Sequence, residues 1–215
     1  MRKMSRLMDM GLERLKNIIL DMGKLSEDVV ASALTVYKGN GKASLDNIYQ
    51  SSERLSFLRN EATDLAVELL TRYQPLADDL RLIKSCIDIS YDLARFGRYA
   101  YDIALTLDWL GDVTPCDFSI VTNMGDLIKM MMEKSLEAFK KMDKALAETL
   151  PKDDDVVDKM YKDYIIDVAR NPKIGRGCAI TIALIARYLE RIGDHACYIA
   201  DSVIYIIEGE KTGKA

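Results

Sequence analysis

The chain carries one histidine and one tryptophan in 215 residues, and none of its four cysteines forms a CxxC pair. That poverty counts against a structural zinc site built from thiolates and imidazoles. Di-iron bundles need a Glu-x-x-His motif on each of two helices. The motif is absent here, so a ferritin-like oxidase is not expected. There are no β-branched runs with period 2, and no Asn-Gly hairpins between strands, so no sheet is assigned. The longest strongly apolar uncharged stretch runs from Gly177 to Ala186, far too short to span a bilayer. The first residues, Met1 to Asp9, are basic but lack an apolar core, which argues against a signal peptide. Net charge is only −4, so nothing draws the chain generically to nucleic acid or anionic lipid. The expected role of Cys86, Cys116, Cys178 and Cys197 is as reduced thiols, packed as small apolar groups in a cytoplasmic protein.

What is present suits a globular protein with a substantial core: 49% of residues are apolar and 30% charged. The four prolines, Pro75, Pro115, Pro151 and Pro172, fall between stretches of helical spacing, where a missing N–H does least harm. With Gly39-Asn40-Gly41 they cut the chain into six helices, expected over 5–37, 43–72, 76–110, 118–149, 152–170 and 174–208. Three long helices followed by three more, with short connections, predict an all-α fold of two antiparallel three-helix bundles. The expected division is residues 1–112 and 113–215.

An internal repeat points the same way. Met22-Gly23-Lys24-Leu25 and Ala33-Leu34 align with Met124-Gly125-Asp126-Leu127 and Ser135-Leu136 at an offset of 102. By the last helix of each unit the offset is 96, which aligns Gly97 with Gly193. The second unit has therefore lost residues in its middle helix or beside it. The repeated glycine suggests close helix packing. The methionines, including Met130-Met131-Met132, are expected mainly as core filler.

The chemistry lies in carboxylates. Glu190, Asp194 and Asp201 share one strip of the last helix, within about 40° of one another. Such acids repel unless a cation or solvent screens them. Asp154 and Asp158 form a second i,i+4 pair, which a neighbouring antiparallel helix could bring to the first. Clustered carboxylates suit hard cations and can bridge several. A plainer account stands beside this one: acids at a helix start favour the macrodipole, and DxxxD spacing is common on solvated faces. His195 is expected to pack rather than to ligate.

Leu189-Glu190-Arg191-Ile192-Gly193-Asp194-His195-Ala196, followed by Ile199-Ala200-Asp201, resembles the signature of the PhoU family, with Tyr198 where asparagine is usual and Asp201 in place of glutamate. Gln74-Pro75-Leu76-Ala77-Asp78-Asp79-Leu80-Arg81-Leu82-Ile83 resembles that family's entry to its third helix. The resemblance implies a six-helix protein of two pseudo-repeated bundles. It further implies a metal ion or cluster, iron or zinc, held by E(D)xxxD motifs. Carried over residue by residue, the motifs fall on Asp154 and Asp158, and on Glu190 and Asp194; with Asp201 from the same strip, these are the expected metal-binding residues. In the first unit the matching positions are Ser52, Ser56, Ala94 and Arg98, which are poor ligands for a hard metal. Arg98 and Asp102, at i,i+4, could pair and replace part of the missing cation's charge.

The implied role is a cytoplasmic, non-enzymatic adaptor that represses a phosphate ABC transporter and acts on a sensor kinase. It would touch the membrane only through its partner, bind no nucleic acid, and act as a monomer or a homodimer. The competing readings are a metal-dependent phosphohydrolase and a helical scaffold without metal.

Overall fold

The computed structural model describes residues 2–36, 41–111, 113, 115–171 and 173–210. Six long helices and one short one fill it: α1 (Arg2–Ala33), α2 (Gly41–Tyr73), α3 (Ala77–Leu110), α4 (Ser119–Lys141), α5 (Lys144–Ala147), α6 (Leu150–Arg170) and α7 (Arg176–Glu208). Gly39, Asn40 and Pro172, expected as breaks, lie outside the described residues, as do Tyr37 and the expected boundary residue Asp112. Among the described residues there is no strand. The all-α expectation is met.

Each long helix forms because its apolar residues recur every three or four positions. On α1, Leu12, Leu15, Ile19, Met22, Val29, Val30 and Ala33 are all buried, a stripe that faces one core. Met131 and Met132 are fully buried on α4, so those methionines are core filler as expected. Pro151 stands in the first turn of α6, where its missing N–H costs nothing.

One helix departs from expectation. The stretch 118–149 is not continuous: α4 ends at Lys141, and Met142 turns left-handed at φ 51°. Its N–H bonds back to Phe139 O at 3.3 Å. Asp143 then caps α5, accepting from the Leu146 N–H at 3.0 Å. Asp143 competes well as a cap, which supplies the reason for the break. The middle helix of the second unit, α6, has 21 residues against 33 in α2, and the loss inferred from the falling offset lies there.

Helices α1, α2 and α3 pack on one another, and α4, α6 and α7 do likewise. The two groups meet through α3 against α7 and α1 against α4, and one continuous apolar core runs through both. The repeat explains this junction. A Cβ on Gly23 of α1 would come within 2.5 Å of Leu136 on α4, and a Cβ on Gly125 of α4 within 2.9 Å of Leu34 on α1. Residues 102 apart thus make reciprocal contacts, as a local two-fold requires.

The α3–α7 contact is antiparallel along its length. Arg81 Nε donates to Ile206 O at 3.1 Å, and Ser85 Oγ donates to Ser202 O at 3.3 Å. Further along, His195 Nδ1 lies 2.8 Å from Asp92 Oδ1, and the rings of Tyr99 and Tyr188 stack with centroids 6.2 Å apart. With an offset of 96, Asp92 corresponds to Tyr188 and Tyr99 to His195. The two units therefore fill equivalent places differently, one with a polar pair and the other with an aromatic pair.

The cysteine expectation needs correction. Cys116 and Cys178 form a disulfide, with Cα atoms 5.2 Å apart. It ties the approach to α4 to the first turn of α7. α4 and α7 run parallel with α6 reversed beside them, so these two ends meet although they are 62 residues apart in sequence. Cys86 and Cys197 remain thiols, and burial pushes Cys86 up to about 12.

Candidate functional site

In each bundle the second and third long helices pack against each other. Where α6 meets α7 the shared face is acidic. Asp154 lies on α6 with Oδ1 directed at Gly193: a Cβ there would come within 2.9 Å of that oxygen and 3.2 Å of Ile128. Gly193 is a cradle for a carboxylate. Its counterpart Gly97 serves packing instead, because a Cβ there would meet Leu55 at 2.5 Å and the Ser52 backbone at 3.4 Å.

The acids feel one another. Burial, then Asp194, Asp158 and Glu190, push the Asp154 carboxyl up to about 7. Glu190 and Asp194 are also raised, burial being the largest cause in each. Asp194 adds to the shift of Glu190 while Arg187 opposes it, and for Asp194 it is Arg191 that opposes and Asp158 that adds. Two arginines one turn from these acids answer part of the charge: Arg187 Nη1 donates to Glu190, and Arg191 Nη1 lies 3.4 Å from Asp194. Asp153, next in sequence to Asp154, pairs with Lys134 of α4 at 2.7 Å.

Two oxygens are left over. Asp154 Oδ1 and Glu190 Oε2 are buried with no hydrogen-bond partner. Unsatisfied buried carboxylate oxygens are costly, and their place between four acids is where a cation would relieve them. Donor set and cradle therefore suit a hard metal ion. As the side chains stand, no three of His, Cys, Asp or Glu among the described residues converge closely enough to hold an ion, so filling the cleft requires the carboxylates to swing inward. Asp201 is not among the acids that act on Asp154. It lies two turns further along α7, where it acts on the Cys197 thiol.

His195 is buried and paired with Asp92 of the other bundle, as a packing residue. Asp92 escaped sequence reasoning. A signal was present: an acid between Ile89 and Phe96 falls on the apolar stripe of α3.

The equivalent cleft between α2 and α3 holds Ser52, Ser56, Ala94 and Arg98 in place of the acids. Arg98 pairs with Asp102 at 3.1 Å, as its spacing suggested.

A two-lobed helical protein of internally repeated bundles, with a carboxylate cleft in one lobe, defines the class. The sequence model of the PhoU domain matches twice, over residues 19–107 and 121–203. The chain belongs to the PhoU family. It is 29% identical over 207 residues to the phosphate-specific transport system accessory protein PhoU homolog 1 of Methanothermobacter thermautotrophicus, covering 93% of this chain and 94% of that one. It is 32% identical over 205 residues to the phosphate-specific transport system accessory protein PhoU homolog of Pseudomonas putida, covering 92% and 79%. The fold matches the crystal structure of PhoU from Pseudomonas aeruginosa with TM-score 0.84 and 29% identity, over 94% of this chain and 99% of that one. It also matches the phosphate transport system regulatory protein PhoU from Streptococcus pneumoniae, with TM-score 0.88 and 21% identity, over 95% and 99%. Among the described residues no helix is long and apolar enough to cross a membrane.

Proposed function

We propose that this chain is an accessory regulator of phosphate uptake that works by binding a transporter rather than by turnover. The family match through both bundles supports the phosphate-transport role, since its relatives carry that name. The observation that carries the rest is the acidic cleft, with Asp154 Oδ1 and Glu190 Oε2 buried without a hydrogen-bond partner. Asp154, Asp158, Glu190 and Asp194 would hold a metal ion or small cluster there, with Asp201 as an outlying acid. A bound cation would supply the positive charge that these acids lack.

The chain's own residues do the remainder. Gly193 admits the Asp154 carboxylate, while Arg187 and Arg191 hold Glu190 and Asp194. The partner is the cytoplasmic side of a phosphate ABC transporter, repressed when phosphate is plentiful. A sensor kinase is a second client.

Phosphate uptake tests this. Cells lacking the gene should keep taking up phosphate after a shift to phosphate-rich medium, while wild-type cells slow. The wild-type gene should restore the slowing, and a gene carrying Asp154→Ala with Glu190→Ala should not. Uptake that slows normally without the gene contradicts the proposal. Purified protein should release no nitrophenol from p-nitrophenyl phosphate, with or without added metal.

A further inference from the structure

The cleft in the first bundle is a cavity of its own, about 210 Å³ in volume. Its walls are regular. Tyr49, Ser52, Ser56 and Arg59 line it from α2, and Tyr91, Arg95, Arg98 and Tyr101 from α3. Each set follows helical spacing, so two antiparallel helices present matched faces to one space. Where the second bundle has four acids, this one has three guanidiniums and two serine hydroxyls among its tyrosines.

The charges are poorly answered from within the protein. Arg98 has Asp102. Arg95 and Arg59 have no carboxylate within 4.0 Å among the described residues. Arg95 donates to the Tyr99 hydroxyl at 2.6 Å and stacks on that ring, and its Nε is buried without an acceptor. Arg59 donates only to the neutral Asn60 side chain, at 3.2 Å. The one acid on the wall, Glu53, is exposed. Three guanidiniums beside serine hydroxyls, with Asp102 pairing Arg98 and acting on Arg95 from a distance, are a recognition set for a phosphate oxyanion, which accepts paired N–H bonds from the guanidinium fork.

The size and the rings say more. At ~30 Å³ per water the cavity holds about seven waters' worth of volume, more than a phosphate needs. Tyr49 and Tyr101, with ring centroids 5.3 Å apart, close one end, and Tyr91 lies toward the other. Tyrosine rings of this kind pack on a flat organic group. We infer that the α2–α3 cleft is an anion site for a phosphomonoester, with Arg59, Arg95 and Arg98 on the phosphate and the tyrosines on its organic part. The site goes beyond the proposed transporter role and needs no metal in the other bundle.

Titration calorimetry at low salt tests it, with EDTA present so that a metal-held phosphate in the acidic cleft contributes nothing. The probes are adenosine monophosphate, inorganic phosphate and sulfate. The monophosphate should bind saturably with one site per chain, at least tenfold tighter than inorganic phosphate, and sulfate more weakly still. Arg95→Gln and Arg59→Gln should each weaken it at least tenfold. Ser56→Glu, which puts a carboxylate on an exposed position of the wall and leaves the core alone, should abolish it. No saturable binding of any probe at millimolar concentration overturns the inference, as does binding that survives Ser56→Glu in a folded variant. Equal affinity for inorganic phosphate and the monophosphate overturns the part assigned to the tyrosines.

Discussion

Replacing Asp154 by asparagine should stabilise the metal-free protein, and only above acidic pH. Burial and four neighbouring carboxylates push this carboxyl from an ordinary 3.8 up to about 7. In the unfolded chain the group loses its proton near 3.8. Between those values the native state binds the extra proton, so stability falls as pH rises. The stability present below pH 3.8 is thus lost progressively up to about pH 7. A gap of about 3 units at ~1.4 kcal/mol each bounds the loss at about 4 kcal/mol. Solvent at the exposed Asp155 and Asp158 screens part of it, leaving about 2 kcal/mol. The asparagine has no such cost. In EDTA at pH 8, the variant should melt about 4–8 °C above wild type, and at pH 4 the two should melt together. In metal-loaded protein the order should reverse, because the wild type gains binding energy by mass action. Thermal melts followed by circular dichroism read all three conditions. A variant no more stable than wild type at pH 8 in EDTA would refute the electrostatic reasoning.

Three further perturbations probe the frame around the site. Gly97→Ala should destabilise by about 1–2 kcal/mol: the new Cβ meets the fully buried Leu55 at 2.5 Å, an overpacking cost that outweighs a helix-propensity gain of ~1 kcal/mol, and urea denaturation measures it. His195→Ala should cost about 2–3 kcal/mol, since it takes a hydrogen-bond partner from the buried Asp92 carboxylate and removes a packed ring, whereas Asp92→Asn, which keeps an acceptor for the ring N–H, should cost less than about 1 kcal/mol in the same assay. Breaking Cys116–Cys178 with reductant or by Cys116→Ser opens a 62-residue loop, for which chain entropy gives up to about 4 kcal/mol; melts with and without reductant should differ in wild type and coincide in Cys116→Ser.

Helix positions were legible because their causes are local. The stripe on α1 and the prolines at 75 and 151 report the elements they bound. The end of α4 was not, since Met142 adopts a left-handed turn that nothing in its side chain announces. Partners distant in sequence were hidden for the same reason. Cys116 meets Cys178 only once α7 is laid against its bundle, and Asp92 meets His195 only across the two bundles. The repeat carried more than its length suggested: Gly23, Leu34, Gly125 and Leu136 recur because they fit into one another. Spacing paired Asp154 with Asp158 and Glu190 with Asp194, and the packing of α6 on α7 brings the two pairs into mutual influence, while Asp201 lies two turns further along α7. The first unit was read through what it had lost, Ser52 and Arg98 among them. Arg59 and Arg95 lie outside that motif, and their convergence with Arg98 is a product of the α2–α3 packing.

Elemental analysis of protein purified without chelators or a histidine tag tests the central assignment most directly. The account predicts at least one metal ion per chain, full retention in Arg98→Ala, and none in Asp154→Ala with Glu190→Ala, provided circular dichroism shows the double variant folded. A folded double variant with undiminished metal, or a wild-type protein that takes up none when metal is supplied, would contradict it.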